Sequence, residues 1–392
     1  MDLPPWAPTL SDGVVTLRAH RPDDVPAVVA ACRDPQTVRW TTVPQPYGDG
    51  HGEQYVATRR EEWDARRSLT FAVEDADGTY AGSIDLRPDG ATPSGAEVGY
   101  AFAPAARGRG LASRALRLAC AWGFAEAGIE VVQWRAAAGN WASRRVAWAA
   151  GFRVEGLVRG LLTVREEGAD GWTTHRADAW VGSLRRGEPL TPAHNWLAVP
   201  VLADGTVRLR PHRQDDAARM VEACSDAATQ AWLPDLPARY TEVNALAHLE
   251  EIKTHHADGV ALYWGFTAPG RDTLAGEVGL FGLSPVGATH SVEIGYWTHP
   301  DSRRLGLTTA AVRLAVRHAL LPQDVGGLGA RRALVRAADG NVASQRVAEK
   351  AGLRPCGRDR EVELLRDGRV CDLLRYDVVA SEQTLDEEAV AG

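Results

Sequence analysis

The chain has 392 residues, more than one ordinary domain holds and enough for two of about 150–200 residues each. Hydrophobic residues make up 45% and charged residues 24%, the balance of a folded globular protein, and no apolar run approaches the roughly 18 residues of a membrane span. A formal net charge of −7 argues against non-specific nucleic-acid binding and suits cationic partners such as amines. The opening MDLPPWAPTLSDG has no basic segment before an apolar core, so no secretory signal is expected. The five cysteines include no CxxC pair, which points away from a metal site or disulfide framework and towards a reducing cytoplasm. Only Lys253 and Lys350 are lysines, so arginine carries nearly all the positive charge.

In chain order, VVTLRA (14–19) alternates as a strand, and Pro22-Asp23-Asp24 opens a helix through Cys32. Residues 35–52, rich in Pro, Gly and aromatics, read as loop, and a helix follows at 53–66. Strands at 69–75 and 80–87 are joined by the turn Asp75-Ala76-Asp77-Gly78, and Glu97–Phe102 is the next strand. A glycine-bearing loop then leads into a helix with Leu111, Ala115, Leu118, Ala119 and Trp122 on one face, stopped by Gly128. A strand at 130–137, a short helix at 141–150 ending on Gly151, and strands at 152–165 and 172–182 complete the unit.

The same series then repeats. Residues 13–34 match 205–226, Trp40 matches Trp232, Glu97 matches Glu293, Arg107 matches Arg303, and Asn140 and Ser143 match Asn341 and Ser344. The second copy carries extra loop residues, PQDVGGLG at 322–329. Cys32 and Cys224 fall at matching positions on apolar helix faces and read as core. With a proline-bearing linker at 184–204, the division expected is 1–190 and 191–392, followed by an acidic, disordered tail, SEQTLDEEAVAG.

The loop Arg107-Gly108-Arg109-Gly110-Leu111-Ala112 fits Arg/Gln-x-x-Gly-x-Gly/Ala. Small residues allow close backbone approach, and amides at a helix start attract a pyrophosphate. Together with TLRAHRPDD, AGSIDL, EVGYAF, NWASRRV and GFRVEG, and with RLRPHRQDD, AGEVGL, EIGYWT, RRLGLT, NVASQRV and GLRPCG in the second copy, the loop makes both halves resemble the GNAT superfamily of N-acetyltransferases. The resemblance is greatest to its ribosomal-protein N-terminal acetyltransferase branch and covers nearly all of both copies.

The resemblance implies an α+β fold of two tandem GNAT-type domains. Each would have a mixed, mostly antiparallel twisted sheet with a splayed central strand pair, flanked by helices. It implies acetyl-CoA as acyl donor, with no metal. In the first copy Arg107, Gly108, Arg109, Gly110, Leu111, Ala112 and Ser113 would hold the pyrophosphate. In the second, Arg303, Arg304, Leu305, Gly306, Leu307, Thr308 and Thr309 would do so. Arg304 replaces Gly108, and a positive φ there would cost about 1 kcal/mol. A bulged strand would open a slot for the pantetheine arm, lined by Val98, Tyr100 and Phe102, and by Ile294, Tyr296 and Trp297, with a backbone amide polarising the thioester carbonyl.

Amine acylation needs a neutral amine and a proton for the departing thiolate. By resemblance, Glu97 and Glu293 are general-base candidates, and a base reading stands beside that of a glutamate bonded to an arginine. Asn140 and Asn341 would bond the pantetheine amide, and Ser143 and Ser344 the thiolate, although Asn and Ser also cap helices. Glu363 is a further base candidate in the second copy, where the first has Leu162. Trp40 and Trp232 fall in the acceptor region. His175 reads as surface, and Asp178 and Asp372 as structural. The function expected is direct acetyl transfer to a primary amine, either a small metabolite or antibiotic or a peptide α-amine. The alternatives are a cysteinyl-sugar acceptor, as in mycothiol synthases, and a non-catalytic acyl-CoA-binding module. Nucleic-acid and membrane partners are not expected, and a monomer or homodimer is.

Overall fold

The computed structural model describes residues 6–89, 94–169, 171–284, 286 and 288–382. All but the first two residues of the acidic tail lie outside these. The chain forms two compact units, Met1–Ala193 and His194–Gly392.

The first unit begins with β1 (Leu10–Ser11), β2 (Val15–Arg18), α1 (Val25–Arg33), α2 (Pro35–Trp40) and α3 (Asp49–Asp64). There follow β3 (Leu69–Asp75), β4 (Tyr80–Pro88), β5 (Gly95–Phe102), α4 (Leu111–Ala125), β6 (Val131–Ala137), α5 (Trp141–Ala149), β7 (Arg153–Gly168) and β8 (Gly171–Arg185). Its eight strands form one sheet in the order β1-β2-β3-β4-β5-β6-β8-β7. Every pairing is antiparallel except β5 with β6. Even-numbered residues of β5 face α4, where Ala96, Val98 and Phe102 join Leu111, Ala115, Ala119 and Trp134 in the core. Burying each large side chain there stabilises by about 1.5–3 kcal/mol.

The second unit repeats the plan: β9 (Leu202–Ala203), β10 (Arg208–Arg210), α6 (Ala217–Ser225), α7 (Ala227–Gln230), α8 (Glu242–Asp258), β11 (Ala261–Thr267), β12 (Leu274–Phe281) and β13 (Ser291–Thr298). It ends with α9 (Leu307–Leu320), β14 (Arg332–Ala338), α10 (Val342–Lys350), β15 (Arg354–Leu364) and β16 (Val370–Val379). Its sheet runs β15-β16-β14-β13-β12-β11-β10-β9, again with one parallel pair, β13 with β14.

Several details depart from the sequence reading. Residues 35–40 are helical, not loop: Asp34 caps α2 by accepting from Thr37 N, and Pro35 takes the first helical position. The core face of α4 uses Leu116 and Cys120, whereas Leu118 is only partly buried. Cys224 is buried but Cys32 only partly so. Strand β8 reaches Arg185, and the short β9 lies inside the expected linker.

Candidate active site

Each unit has a parallel ladder that stops early. In the first, Gly95, Ala96 and Glu97 pair with Val131, Val132 and Gln133, and the pairing ends there. Beyond Glu97, β5 stays with β4 out to Phe102, while β6 stays with β8 out to Ala137. The two strands therefore part, and alternate residues of Val98–Phe102 turn unpaired backbone groups into the gap. In the second unit only Ser291, Val292 and Glu293 pair with Arg332, Ala333 and Leu334 before β13 and β14 part. The expected bulge is absent from both β4–β5 and β12–β13, whose registers run without a shift. The gap comes from divergence of the partner strand, not from an inserted residue.

The loop at the end of β5 turns on two left-handed residues. Gly108 has φ 72° and Gly110, the residue before α4, φ 74°. The counterparts are Arg304 at 63° and Gly306 at 78°. The positive φ expected at position 304 is therefore present, and an arginine bears it. The first hydrogen bond of α4 runs from Arg114 N to Gly110 O at 3.3 Å, which leaves the N–H groups of Leu111, Ala112 and Ser113 ahead of the helical ladder. In α9 the corresponding bond is Ala310 N to Gly306 O at 3.1 Å, ahead of which stand Leu307, Thr308 and Thr309. Thr308 Oγ1 lies 2.6 Å from Thr298 Oγ1, tying the loop to the end of β13.

The loop arginines are engaged with protein groups. Arg107 donates to Phe102 O (3.0 Å), Asp34 (2.6 Å) and Thr37 Oγ1 (3.0 Å). Arg303 repeats this with Asp226 (2.5 Å) and Thr229 (2.8 Å). Both guanidiniums thus lock the loop to the start of a short helix earlier in the chain, α2 or α7. Burial alone would raise the Asp34 carboxyl, but the Arg107 bond and the Thr37 amide carry it below its ordinary value. Arg109 pairs with Asp75 at 3.0 Å, whereas Arg304 and Leu305 are exposed.

Across the gap, three side chains from three elements meet. Tyr100 on β5 places its hydroxyl 2.9 Å from Ser143 Oγ and donates to Ser143 O at 3.1 Å. Trp134 on β6 donates to Ser143 Oγ at 3.0 Å. In the second unit Tyr296 and Ser344 keep both contacts, at 2.9 and 3.1 Å, and Val335 stands where Trp134 does. Burial raises the Tyr100 phenol and pushes Tyr296 up to about 12, so both stay protonated. Asn140 and Asn341 accept from Ser143 N (3.1 Å) and Ser344 N (3.2 Å), the capping role weighed for them. Trp40 and Trp232 lie against Gly139 and Gly340, just before those caps.

Glu97 begins the gap on the opposite face of β5 from Tyr100, held by Arg87 (3.1 Å) and Arg135 (3.3 Å). Glu293 is held by Arg336 at 2.8 Å. Glu363 pairs in register with Cys371 and acts electrostatically on the same Arg336. His175 is 45% exposed, 3.8 Å from Glu166. Asp178 accepts from Gly160 N at 2.9 Å and Asp372 from Glu361 N at 2.8 Å, each pinning a register shift of the last hairpin.

Sequence reasoning passed over one further group. In the second unit a cavity of about 720 Å³ lies between α6, α8 and the ends of β12 and β13. Glu277, 7% exposed, sits in its wall 3.1 Å from His248 Nε2 and 3.0 Å from His212 Nε2. His212 belongs to the quoted motif RLRPHRQDD with Asp216, 3.7 Å away, but Glu277 and His248 lie on a distant strand and helix. At the same place in the first unit His20 Nε2 meets Ser83 Oγ at 2.9 Å, with Tyr55 edge-on at 5.5 Å. Among the described residues, no group of three or more His, Cys, Asp or Glu is arranged to hold a metal ion.

The acetyltransferase (GNAT) domain family matches residues 15–153 and again 206–354. The chain belongs to the GNAT acetyltransferases. As a GNAT enzyme it transfers an acetyl group from acetyl-CoA to an amine. The gap and loop fit coenzyme A: a Cβ added at Gly108 or Gly110 meets nothing within 4 Å, so the backbone there is open to a phosphate. Solved structures similar to this GNAT chain include RimJ of Mycobacterium smegmatis in complex with CoA-disulfide, at 23% identity over 47% of this chain and 90% of that one, with TM-score 0.41. RimL, a ribosomal L7/L12 alpha-N-protein acetyltransferase in complex with coenzyme A, is 18% identical over 46% and 98%, with TM-score 0.40. The ribosomal-protein-S5-alanine acetyltransferase of Vibrio fischeri is 17% identical over 47% and 100%, with TM-score 0.40. No curated protein matches the chain. No helix among the described residues is long and apolar enough to cross a membrane.

Proposed function

We propose that both halves, 1–190 and 191–392, are acetyltransferase domains with a coenzyme A site each, and that the chain acetylates primary amines, small molecules or peptide α-amines, in the cytoplasm. The observation that carries this reading is the ladder that ends after three parallel pairs in both units, each beside a helix start with free amides. Bound acetyl-CoA supplies a thioester carbonyl that the amine attacks, so that a C–N bond forms as the C–S bond breaks.

The chain's own groups divide the remaining work. Amides of Leu111, Ala112 and Ser113, and of Leu307, Thr308 and Thr309, hold the pyrophosphate. Backbone groups of Val98–Phe102 and Ile294–Trp297 line the pantetheine slot. Glu97, and in the second unit Glu293 with Glu363 nearby, accept a proton from the amine. Ser143 and Ser344 sit at the gap with hydroxyls oriented by tyrosine, suited to a departing thiolate.

Calorimetric titration of the intact chain with acetyl-CoA tests the reading. Two equivalents are expected. Gly110→Val in the first loop and Gly306→Val in the second, each forcing a branched residue to a positive φ, should each remove one equivalent. One equivalent in the native chain would make one copy a scaffold. No binding would overturn the proposal. Binding without transfer to any amine would favour an acyl-CoA-binding module.

A further inference from the structure

We propose that the cavity of the second unit receives the amine acceptor and that His248, held by Glu277, takes the ammonium proton there. This rests on the reading of the second unit as an acetyltransferase and adds a residue to it. The cavity meets the pantetheine slot at one residue: Trp297 belongs to the diverging segment of β13, and its side chain lines the cavity opposite Glu277, its partner in register. An amine in the cavity is therefore next to the strand edge where the thioester is expected.

His248 is built as an oriented base. Its Nε2 lies 3.1 and 3.2 Å from the two oxygens of Glu277 and donates to them, so Nδ1 is the nitrogen that can lose and regain its proton. Nδ1 is 3.6 Å from Glu251, one turn along α8 at the cavity wall. The groups facing this imidazole are Glu277 from β12 and Glu251 from its own helix, with Tyr263 of β11 edge-on at 6.0 Å. His212 reaches it through Glu277, while Tyr240 and Asp235 face the cavity from the segment before α8. Burial alone would lower His248, but the charge and hydrogen bond of Glu277, with Glu251, raise it to about 9. Burial would raise Glu277, yet the two histidines hold it well below the ordinary carboxylate range. At pH 7.5 His248 therefore starts as an imidazolium. The first unit has Tyr55 and Ser83 in these places and lacks the device.

Apolar and aromatic walls, Met220, Leu236, Tyr240 and Trp297, with Asp235, Glu251 and Glu277, suit an ammonium carried on an apolar or aromatic body. On entry, the ammonium comes beside the imidazolium, and the repulsion of like charges releases one proton from Nδ1 to solvent. The remaining proton passes from the amine nitrogen to Nδ1, the N–H bond breaking with its electron pair left on nitrogen. Glu293 is left to accept the second proton during transfer.

The test is calorimetric binding of 2-phenylethylamine to the full chain at pH 7.5, without acetyl-CoA, in two buffers of different ionisation enthalpy. About one proton released per amine bound is expected. His248→Gln should bind the amine with no release, and Glu277→Gln should reduce the release by dropping the histidine towards its ordinary value. Circular dichroism of both variants checks that they fold. Binding without proton release, or release unchanged in His248→Gln, overturns the proposal. So does absence of amine binding in a chain that still binds acetyl-CoA. A chain that binds neither fails the reading beneath it.

Discussion

Tyr100 Oη lies 2.9 Å from Ser143 Oγ, and Tyr296 Oη stands at the same 2.9 Å from Ser344 Oγ. In both units a tyrosine on the diverging strand reaches across the gap and fixes a serine on the short helix beyond it. Each tyrosine also donates to the serine carbonyl, so its hydroxyl makes two contacts with the one serine. Ser143→Ala leaves Trp134 Nε1 with Tyr100 Oη as acceptor at 3.1 Å. That variant should keep its melting temperature and lose about tenfold or more in transfer by the first unit. A full rate with Ser143→Ala in a chain whose second loop is disabled would show that the serine hydroxyl takes no part in transfer.

Glu97 and Glu293 are about one-third exposed and ion-paired. Such pairs contribute roughly 0–1 kcal/mol. Glu97→Gln and Glu293→Gln should therefore unfold almost as the parent does while transfer falls by about 100-fold or more if the carboxylate accepts the proton. A rate change under twofold would assign both glutamates to their arginines alone.

Arg304 carries a left-handed backbone that its counterpart Gly108 meets without strain. Arg304→Gly relieves about 1–2 kcal/mol of strain and costs about 0.5–1 in chain entropy, a net gain of up to about 1.5 kcal/mol. The second unit should melt about 2–4 °C higher. The reverse change, Gly108→Arg, should lower the first unit's melting by a similar amount.

The two units respond to pH in opposite ways through non-equivalent histidines of corresponding pockets, His20 in the first and His248 in the second. His20 is lowered to about 4, by burial first and then by Arg59 and Arg18, so its neutral form is built into the fold. A depressed histidine costs nothing above its unfolded value of 6.5 and destabilises as pH falls towards 4. His248 is raised to about 9, so its contribution is full below 6.5 and is lost as pH rises to 9. Urea unfolding between pH 6.5 and 9 should show the second unit weakening and the first unit flat over that window. His248→Gln should reduce the slope and leave the share of His212, whose value Asp216 and Glu277 also raise against the effect of burial.

Much of this was legible in the chain because the repeat exposes itself: the glycine loop, Asn-x-x-Ser and the strand before them recur in order, and each is local. The parting of β5 from β6 was accessible only through family resemblance, since three residues of parallel pairing leave no local pattern. Helix α2 was hidden by Pro35, which reads as a breaker until Asp34 is recognised as its cap. The partner of Arg107 is Asp34, 73 residues away, and no spacing rule reaches that far. His212, Glu277 and His248 come from a turn, a strand and a helix, and only the closed sheet brings them together.

That cluster also constrains how two copies of one gene segment can diverge. Placing a glutamate at position 83 alone would bury a charge beside a neutral His20 and the phenol of Tyr55, at a cost of about 3–5 kcal/mol, and removing Glu277 alone would strand two imidazoles. Neither state is a stable halfway house. The charged arrangement of one half and the uncharged arrangement of the other therefore behave as indivisible alternatives, exchanged as whole sets or not at all. A chimera that swaps α8 without β12 would inherit the incompatibility.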